Sequence, residues 1–120
     1  MATIKLGSPP KSIKRTVTFP MLDGTEGQIE CEFKYRTRRE FGEFIQGLTK
    51  DAKQPDSFAE LMAKGVEANG EYLEQVLLAW DLDEKLSRKA LEQLADELPA
   101  AAQAILDAYR MAIIEGRLGN

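Results

Sequence analysis

The chain has 120 residues and a net charge of −4, with 43% hydrophobic and 30% charged residues. This composition is typical of an ordinary globular domain and does not indicate disorder. The sequence has no histidine and a single cysteine, Cys31, which excludes histidine-based nucleophile pairs, the usual zinc sites and any internal disulfide bond.

Charge is unevenly distributed along the chain. Residues 1–40 carry eight Lys or Arg against five Asp or Glu, whereas residues 41–120 carry eight against fifteen. Two oppositely charged binding surfaces, a head-to-tail self-association or an unevenly charged solvated surface would each account for this pattern. The chain has no apolar run long enough to cross a bilayer and no signal-peptide core, so we expect an intracellular protein without membrane contact.

The chain begins with a loose segment. Residues 1–12 contain two adjacent prolines, which lack amide donors and interrupt any strand, so we expect a flexible N-terminal segment. The remainder, residues 13–120, is short enough to form one domain. We expect an α+β domain with an N-terminal antiparallel hairpin at 13–36, followed by a mostly helical part at 37–117.

The two strands of the predicted hairpin alternate apolar and polar residues with a period of two, on either side of an Asp-Gly turn signal. The apolar face of the second strand contains Ile29, Cys31, Phe33 and Tyr35. Such a face packs on a core, so we expect Cys31 to be buried and unreactive. The register that fits both strands sets Val17 opposite Ile29 and Lys14 opposite Glu32.

About five helices are predicted after the hairpin, because apolar residues recur there at helical spacing. Their expected starts are a Thr37–Glu40 capping box, Asp56 or Ser57, the Asn69-Gly70 break, Ser87 and Pro99. The second helix carries the apolar stripe Phe58, Leu61, Met62 and Val66, and the third runs through Tyr72 to Trp80. Since an isolated hairpin is barely stable in water, these helices must cover its apolar face.

The segment after the tryptophan allows two interpretations. Asp81, Asp83 and Glu92 match the first, third and twelfth positions of an EF-hand calcium loop. The fifth and sixth positions are Lys85 and Leu86, where that loop needs an oxygen ligand and a glycine. We therefore interpret the segment as a bend between two helices, with acidic residues near the positive end of the second helix, and expect no metal site.

Other chemistry is sparse. The chain has neither a P-loop nor a dinucleotide-binding glycine motif, and we expect no catalytic residue, no cofactor and no enzyme activity. A small enzyme built on carboxylates would need a polar cleft that the sequence does not indicate. The basic segment from Lys34 to Arg39 (with Arg36 and Arg38) could bind nucleic acid in a small prophage regulator, although nearby glutamates and the overall acidity oppose this.

Apolar residues on the last helix and at the bend offer candidate binding surfaces. Trp80 is predicted to pack into the core, with Leu82 packing across the bend, or to anchor a partner, since tryptophan is enriched at binding hot spots. Ile113 and Ile114 are adjacent, and one helix face does not bury two adjacent residues. We therefore expect an apolar groove for a partner either along the stripe that begins at Tyr109 or around Trp80.

Three segments follow one another in a distinctive order. The hairpin reads VTFPMLDGTEGQIECEFKYRT, a central helix ends in Trp80-Asp81, and LSRKALEQLADELPAAAQAILDAYRMAIIEGRLGN closes the chain. This order resembles the tail assembly chaperones of long-tailed bacteriophages and prophages. The resemblance covers most of residues 14–120 and rests mainly on the closing segment, with its Leu-Ser helix start, Leu-Pro break and Ala-rich helix.

The resemblance implies a non-enzymatic role in viral tail morphogenesis. Such proteins coat the long helical tape-measure protein, keep it soluble and help recruit tail tube subunits. They act in the cytoplasm of the bacterial host and are not expected in the finished virion. Many are made in a short form and in a longer frameshifted form, and a chain ending at Asn120 corresponds to the short, non-frameshifted form.

Overall fold

The computed structural model describes residues 4–117 and shows an α+β fold. The elements follow in the order β1 (Ser12–Pro20), β2 (Glu26–Lys34), α1 (Arg38–Thr49), α2 (Phe58–Val76), β3 (Leu77–Trp80), α3 (Arg88–Glu97) and α4 (Pro99–Arg110), and a π-helical turn (Met111–Glu115) extends α4. The predicted class is confirmed. The described residues form four α-helices, however, and not about five, and the hairpin belongs to an antiparallel sheet in the order β1-β2-β3.

The strands β1 and β2 pair in the predicted register. Val17 lies opposite Ile29, and Lys14 lies opposite Glu32. Because apolar residues alternate on both strands, this register gathers them on one face of the sheet. On the polar face, the hydroxyl of Ser12 donates a hydrogen bond of 2.6 Å to the carboxylate of Glu32.

The turn between these strands uses the predicted Asp-Gly signal. Gly24 adopts a φ of +89°, a conformation that costs glycine little because it has no side chain. The carboxylate of Asp23 accepts hydrogen bonds from the backbone N–H of Thr25 at 2.9 Å and from its hydroxyl at 2.6 Å. These local contacts fix the loop length and thereby the register of the hairpin.

One long helix, α2, replaces the second and third predicted helices. The Asn69-Gly70 pair predicts a break, but α2 continues through it without interruption. Gly70 is buried, and a Cβ atom at this position would lie 2.5 Å from Cγ of Glu92 on α3. The predicted break is wrong because this glycine allows α3 to approach α2 closely and does not form a turn.

The third strand is β3, at Leu77–Trp80, where the spacing of apolar residues predicts the end of a helix. Strand β3 follows α2 directly and pairs with β2, with Trp80 opposite Cys31. Ala79 lies opposite Glu32 and Leu77 lies opposite Phe33, so Leu78 between them has no partner on β2. Leu78 forms a β-bulge and is exposed. The predicted helix to Trp80 is wrong because the free edge of β2 can pair with a short apolar segment, and the spacing of such a segment fits a helix or a strand.

The core lies between the apolar face of the sheet and the helices. Its largest fully buried side chains are Ile29, Phe33, Leu73, Val76, Leu91, Ile105 and Tyr109. The rings of Phe33 and Tyr109 lie 5.3 Å apart between centroids, so β2 and α4 meet through an aromatic contact. Cys31 is buried in this core, as the strand alternation predicted.

Side-chain caps begin the helices at the predicted positions. The Thr37 hydroxyl accepts from the backbone N–H of Glu40, and the Glu40 carboxylate accepts from the backbone N–H of Thr37, which completes the capping box of α1. Ser57 and Ser87 cap α2 and α3 in the same way through their hydroxyls. Pro99 occupies the first turn of α4, where its missing N–H costs nothing.

The ends of the chain lie only partly within the described residues. Residues 4–11 are exposed, and the predicted flexibility of residues 1–12 stays a prediction, as does the assignment of 13–120 to one domain. Residues 1–3 and the terminal residues 118–120 lie outside the described part of the chain. The last helical turn ends at Gly116, which adopts the left-handed conformation typical of a helix C-terminus.

Candidate partner-binding site

Two hydrogen bonds hold the acidic bend after Trp80. The indole Nε1 of Trp80 donates to the carbonyl oxygen of Glu84 at 2.8 Å. The carboxylate of Asp81 accepts from the backbone N–H of Glu30 at 2.9 Å, so a side chain continues the hydrogen bonding of β2 beyond the end of β3. Within residues 4–117, no three His, Cys, Asp or Glu side chains are grouped so that they could hold a metal ion.

An apolar groove of about 250 Å³ opens beside the tryptophan. It is lined by Trp80, Leu82, Glu84, Ala90, Gln93, Leu94, Glu97 and Leu98. The end of β3 and the bend form one wall, and α3 and the residue that follows it form the other. Its large side chains are apolar, and two of its polar residues are glutamates. The groove therefore combines an apolar floor with an acidic edge.

The sequence predicted two of these lining residues, Trp80 and Leu82, and missed the others. Trp80 is half-buried and packs against the core, so it has both a structural face and a face towards the groove. Leu94 lies on α3, and Leu98 directly follows that helix. Their spacing agrees with core packing and gives no sign that they also border a groove.

The predicted stripe on the last helix is mostly inaccessible. Tyr109 is 0% exposed, and its hydroxyl accepts a hydrogen bond from Nη1 of Arg36 at 2.9 Å. Ile113 is also buried, whereas its neighbour Ile114 is 40% exposed. Of these three candidates, Ile114 is the one whose side chain offers a surface. It borders a second, wider cleft with Arg38, Arg39, Phe41 and Gly42.

The basic segment does not form one continuous patch. Arg36 is only 8% exposed, and its guanidinium carbon lies 4.0 Å from the centre of the Phe44 ring. The side chains of Lys34, Arg38 and Arg39 remain exposed. The nucleic-acid hypothesis therefore loses its central cation, because a guanidinium that is buried against an aromatic ring does not contact a phosphate.

An exposed apolar stripe runs along the N-terminal half of α2. Phe58 is 73% exposed, Leu61 45% and Met62 49%, and Val66 is half-buried. The buried residues of this helix, Gly70, Leu73 and Val76, all lie in its C-terminal half. The C-terminal half of α2 makes the core contacts of this helix, and the stripe in its N-terminal half is left exposed.

Comparison of the whole chain with known families identifies the protein class. A family model of phage tail assembly chaperones matches residues 1–120. The chain belongs to the phage tail assembly chaperone family. The resemblance deduced from the order of the sequence segments is confirmed, and the match also includes the first dozen residues, which that resemblance left out. No curated protein and no solved structure matches the chain.

Tail assembly chaperones are generally non-enzymatic. In this family member, burial and the nearby charges of Asp81 and Glu30 raise the pKa of Cys31 to about 12. The thiol is therefore protonated at neutral pH and is a poor nucleophile. Burial also raises the pKa of Tyr72 to about 12. None of the described helices of this chaperone is long and apolar enough to cross a membrane.

Proposed function

We propose that this tail assembly chaperone binds the tape-measure protein of the phage tail, keeps it soluble and helps recruit tail tube subunits in the cytoplasm of the bacterial host. Like the chaperones it resembles, it leaves before the virion is complete. The observation that carries the proposal is the apolar groove at Trp80 and Leu82, found in a chain of this family. A free rod-like helix exposes apolar stripes that aggregate, and a groove of this kind masks them.

The shape of the groove suits a helix. Its opposite walls are short, since one is a bend and the other is the ten-residue helix α3. An amphipathic helix places apolar side chains at i, i+3, i+4 and i+7, and a few of these fit between such walls. The indole of Trp80 is fixed by its bond to Glu84, so it presents a flat apolar surface without losing freedom on binding.

The negative charge at the groove favours a bound helix that carries positive charge. Glu84 and Glu97 stand at its edge, and the remaining polar lining residue, Gln93, is neutral. Lysine or arginine beside the apolar stripe of a bound helix is favoured there, and glutamate or aspartate is disfavoured. Each contact is small, but many copies that bind along one rod gain strength from their number.

We assign the recruitment of tube subunits to the second cleft, which is formed by Arg38, Arg39, Phe41, Gly42 and Ile114. None of these residues lines the groove at Trp80, so both surfaces can be occupied in one chaperone. The two also differ in charge, because the cleft has two arginines and the groove two glutamates. A chaperone that links two different proteins needs this kind of separation.

Co-expression with the tape-measure protein tests the groove. The substitution Leu82→Glu places a charge in the groove, and Leu22→Glu makes the same change at an almost fully exposed leucine in the hairpin turn. We expect Leu82→Glu to lower the soluble tape-measure protein at least about fivefold, because a charge replaces one of the apolar residues that line the groove. Leu22→Glu should behave as wild type.

Circular dichroism and a thermal melt of each purified variant verify folding. A folded Leu82→Glu variant that solubilises the tape-measure protein as well as wild type would remove the groove from the proposal. If neither wild type nor variant binds or solubilises that protein, the proposed function itself is wrong.

A further inference from the structure

The arginines at the start of α1 do not stabilise the helix that carries them. Arg38 and Arg39 occupy its first turn, where the positive end of the helix dipole disfavours a cation. Both side chains are exposed. Within residues 4–117, every ion pair joins other residues, so no described carboxylate neutralises either guanidinium. Two unpaired cations in an unfavourable position indicate a role outside the fold.

Other charges around these arginines leave the region positive. The carboxylate of Glu40 accepts a hydrogen bond from the backbone N–H of Thr37 and is committed to the capping box. Glu115, next to the cleft residue Ile114 in the sequence, pairs with Arg117 at 2.7 Å. Lys34, at the end of β2, adds an exposed cation. An anionic group is therefore favoured at this end of the molecule.

The second cleft, which these arginines border, has an apolar lining and open space. Phe41 and Ile114 supply its large uncharged side chains, and its volume is about 580 Å³. Gly42 lies four residues after Arg38 and thus on the same side of α1. A Cβ atom at Gly42 would meet nothing within 4 Å. The cleft therefore leaves room for an apolar side chain directly beside two cations.

We propose that the second cleft binds an acidic peptide segment that carries a large apolar side chain next to its carboxylates. The carboxylates pair with Arg38 and Arg39, since the planar guanidinium binds a carboxylate through two parallel hydrogen bonds. The apolar side chain fills the space over Gly42. The inference deepens the proposed function and rests on it for the identity of the partner, the tail tube subunit.

The lining distinguishes a peptide from a nucleic acid. A phosphate backbone would satisfy the two arginines, but it would leave Phe41 and Ile114 without an apolar contact. An apolar side chain beside a carboxylate satisfies both parts of the cleft. The same acidic segment is disfavoured at the groove, where Glu84 and Glu97 would repel it. Opposite charges thus direct two partners to two surfaces of one chaperone.

Fluorescence anisotropy with a labelled synthetic peptide tests the charge. The probe is a peptide of about twelve residues that contains leucine, aspartate and glutamate, and its control has asparagine and glutamine in place of the acids. The full chain should bind the acidic probe at least about tenfold more tightly than the amide control. Arg38→Glu/Arg39→Glu should raise the Kd of the acidic probe at least about tenfold. Lys50→Glu/Lys53→Glu makes the same change of charge at exposed lysines beyond the other end of α1 and should bind as wild type.

A pair of glycine variants tests the space. Gly42→Leu fills the cleft and should raise the Kd of the probe at least about fivefold. Gly47→Leu adds the same side chain on the same helix, also where a Cβ atom meets nothing within 4 Å, and should bind as wild type. Leucine favours a helix over glycine, and carboxylates are favoured at a helix N-terminus. Thermal melts should therefore show no loss of Tm in either glycine variant or in Arg38→Glu/Arg39→Glu.

Four results overturn the inference. Three are a wild-type chain that does not bind the acidic probe, equal binding of the amide control, and unchanged binding by the folded Arg38→Glu/Arg39→Glu variant. The fourth is binding of a DNA duplex in place of the probe, lost in the same variant, which would assign the arginines to nucleic acid.

The purified tail tube subunit, measured with the same variants, separates this inference from the proposed function. If the chaperone binds the probe at the cleft but never binds the tube subunit, the proposed recruitment is wrong and the cleft keeps its class of ligand. If wild type and the folded Arg38→Glu/Arg39→Glu variant bind the tube subunit equally and neither binds the probe, recruitment stands and the inference is wrong.

Discussion

Nη1 of Arg36 donates a hydrogen bond of 2.9 Å to the hydroxyl of Tyr109, and this bond joins the residues after β2 to the last turn of α4. Both side chains are buried. The guanidinium also lies over the ring of Phe44 at 4.0 Å, so α1 takes part in the same cluster. The cluster gives a buried cation two compensating contacts, a hydrogen bond and a cation–π contact.

Tyr109→Phe should destabilise the protein by about 1–3 kcal/mol, because it leaves a buried guanidinium donor without its acceptor while the ring stays in place. Urea unfolding followed by circular dichroism measures this change. Tyr35→Phe removes a hydroxyl from a half-buried ring and should cost less than about 0.5 kcal/mol. Equal losses in the two variants would show that the bond to Arg36 contributes little.

Gly27→Ala should destabilise the protein by about 1–3 kcal/mol, since the core must shift to admit the added methyl group. A Cβ atom at this position would lie 2.7 Å from Cε2 of Phe19 and 2.7 Å from Sδ of Met21. Gly47→Ala is the matched control, because a Cβ atom there meets nothing within 4 Å and alanine favours the helix by up to about 1 kcal/mol. The Tm of Gly27→Ala should therefore fall, and the Tm of Gly47→Ala should rise. A Gly27→Ala variant with a raised Tm would contradict the close approach of Gly27 to Phe19.

Asp81→Ala should cost about 0.5–1.5 kcal/mol, because the backbone N–H of Glu30 loses its acceptor. Asp81→Asn keeps a side-chain oxygen and should retain most of this stability. Hydrogen exchange gives a direct readout, since the Glu30 amide should exchange faster in the alanine variant alone. Millimolar calcium should leave the Tm of all three proteins unchanged, and a calcium-dependent rise in Tm would restore the metal interpretation of the bend.

The stability should fall as the solution becomes strongly alkaline. Cys31 and Tyr72 are neutral when protonated, and burial raises the pKa of each to about 12. The folded state holds these protons more tightly than the unfolded state, whose ordinary pKa values are about 9 and 10. The stabilisation is therefore complete below about pH 9 and is lost as the pH rises through about 12.

Urea midpoints measured from neutral to alkaline pH test this dependence. Tyr72→Phe removes one of the two groups, so its stability should fall less steeply than that of wild type above about pH 10. Cys31 should also stay unreactive towards a thiol reagent in the folded protein and react at once in urea. Rapid reaction of the native thiol at neutral pH would show that the pocket around Cys31 opens.

Patterns within a few residues predicted much of the fold. The alternation around Val17 and Ile29 fixes the hairpin register, and the hydroxyls of Thr37 and Ser87 fix the starts of α1 and α3. These signals act through neighbours in the sequence, so their outcome does not depend on the rest of the molecule. Their order along the chain also led to the correct family.

The features that the sequence left undetermined depend on distant partners. Helical spacing at Phe58 and Leu61 defines an apolar face but does not say what covers it. Gly70 has the same local signal whether it breaks a helix or allows a second helix to approach. Arg36 follows a strand whose polar residues face water, yet its hydrogen bond to Tyr109, 73 residues further along the chain, and its contact with the Phe44 ring draw it into the core.

The candidate groove was also predictable only in part, since one wall follows from local chemistry and the other from tertiary packing. Core packing and a partner surface were the two alternatives for the region of Trp80 and Leu82, and both residues line the groove. The facing wall consists of residues on α3 and of Leu98, which follows it, and helical spacing alone does not place these residues at a binding surface. Only the packing of α3 against the bend creates the space between them, and that packing is a tertiary property.

The direct junction of α2 and β3 sets the order in which the fold can be completed during translation. Strand β2 ends at Lys34, but the strand that covers its second edge begins at Leu77. While the ribosome makes the residues between them, the nascent hairpin has an open edge that another chain could join. The three-stranded sheet can therefore form only after Trp80 has been synthesised. A truncated product that stops earlier has a two-stranded ribbon prone to aggregation.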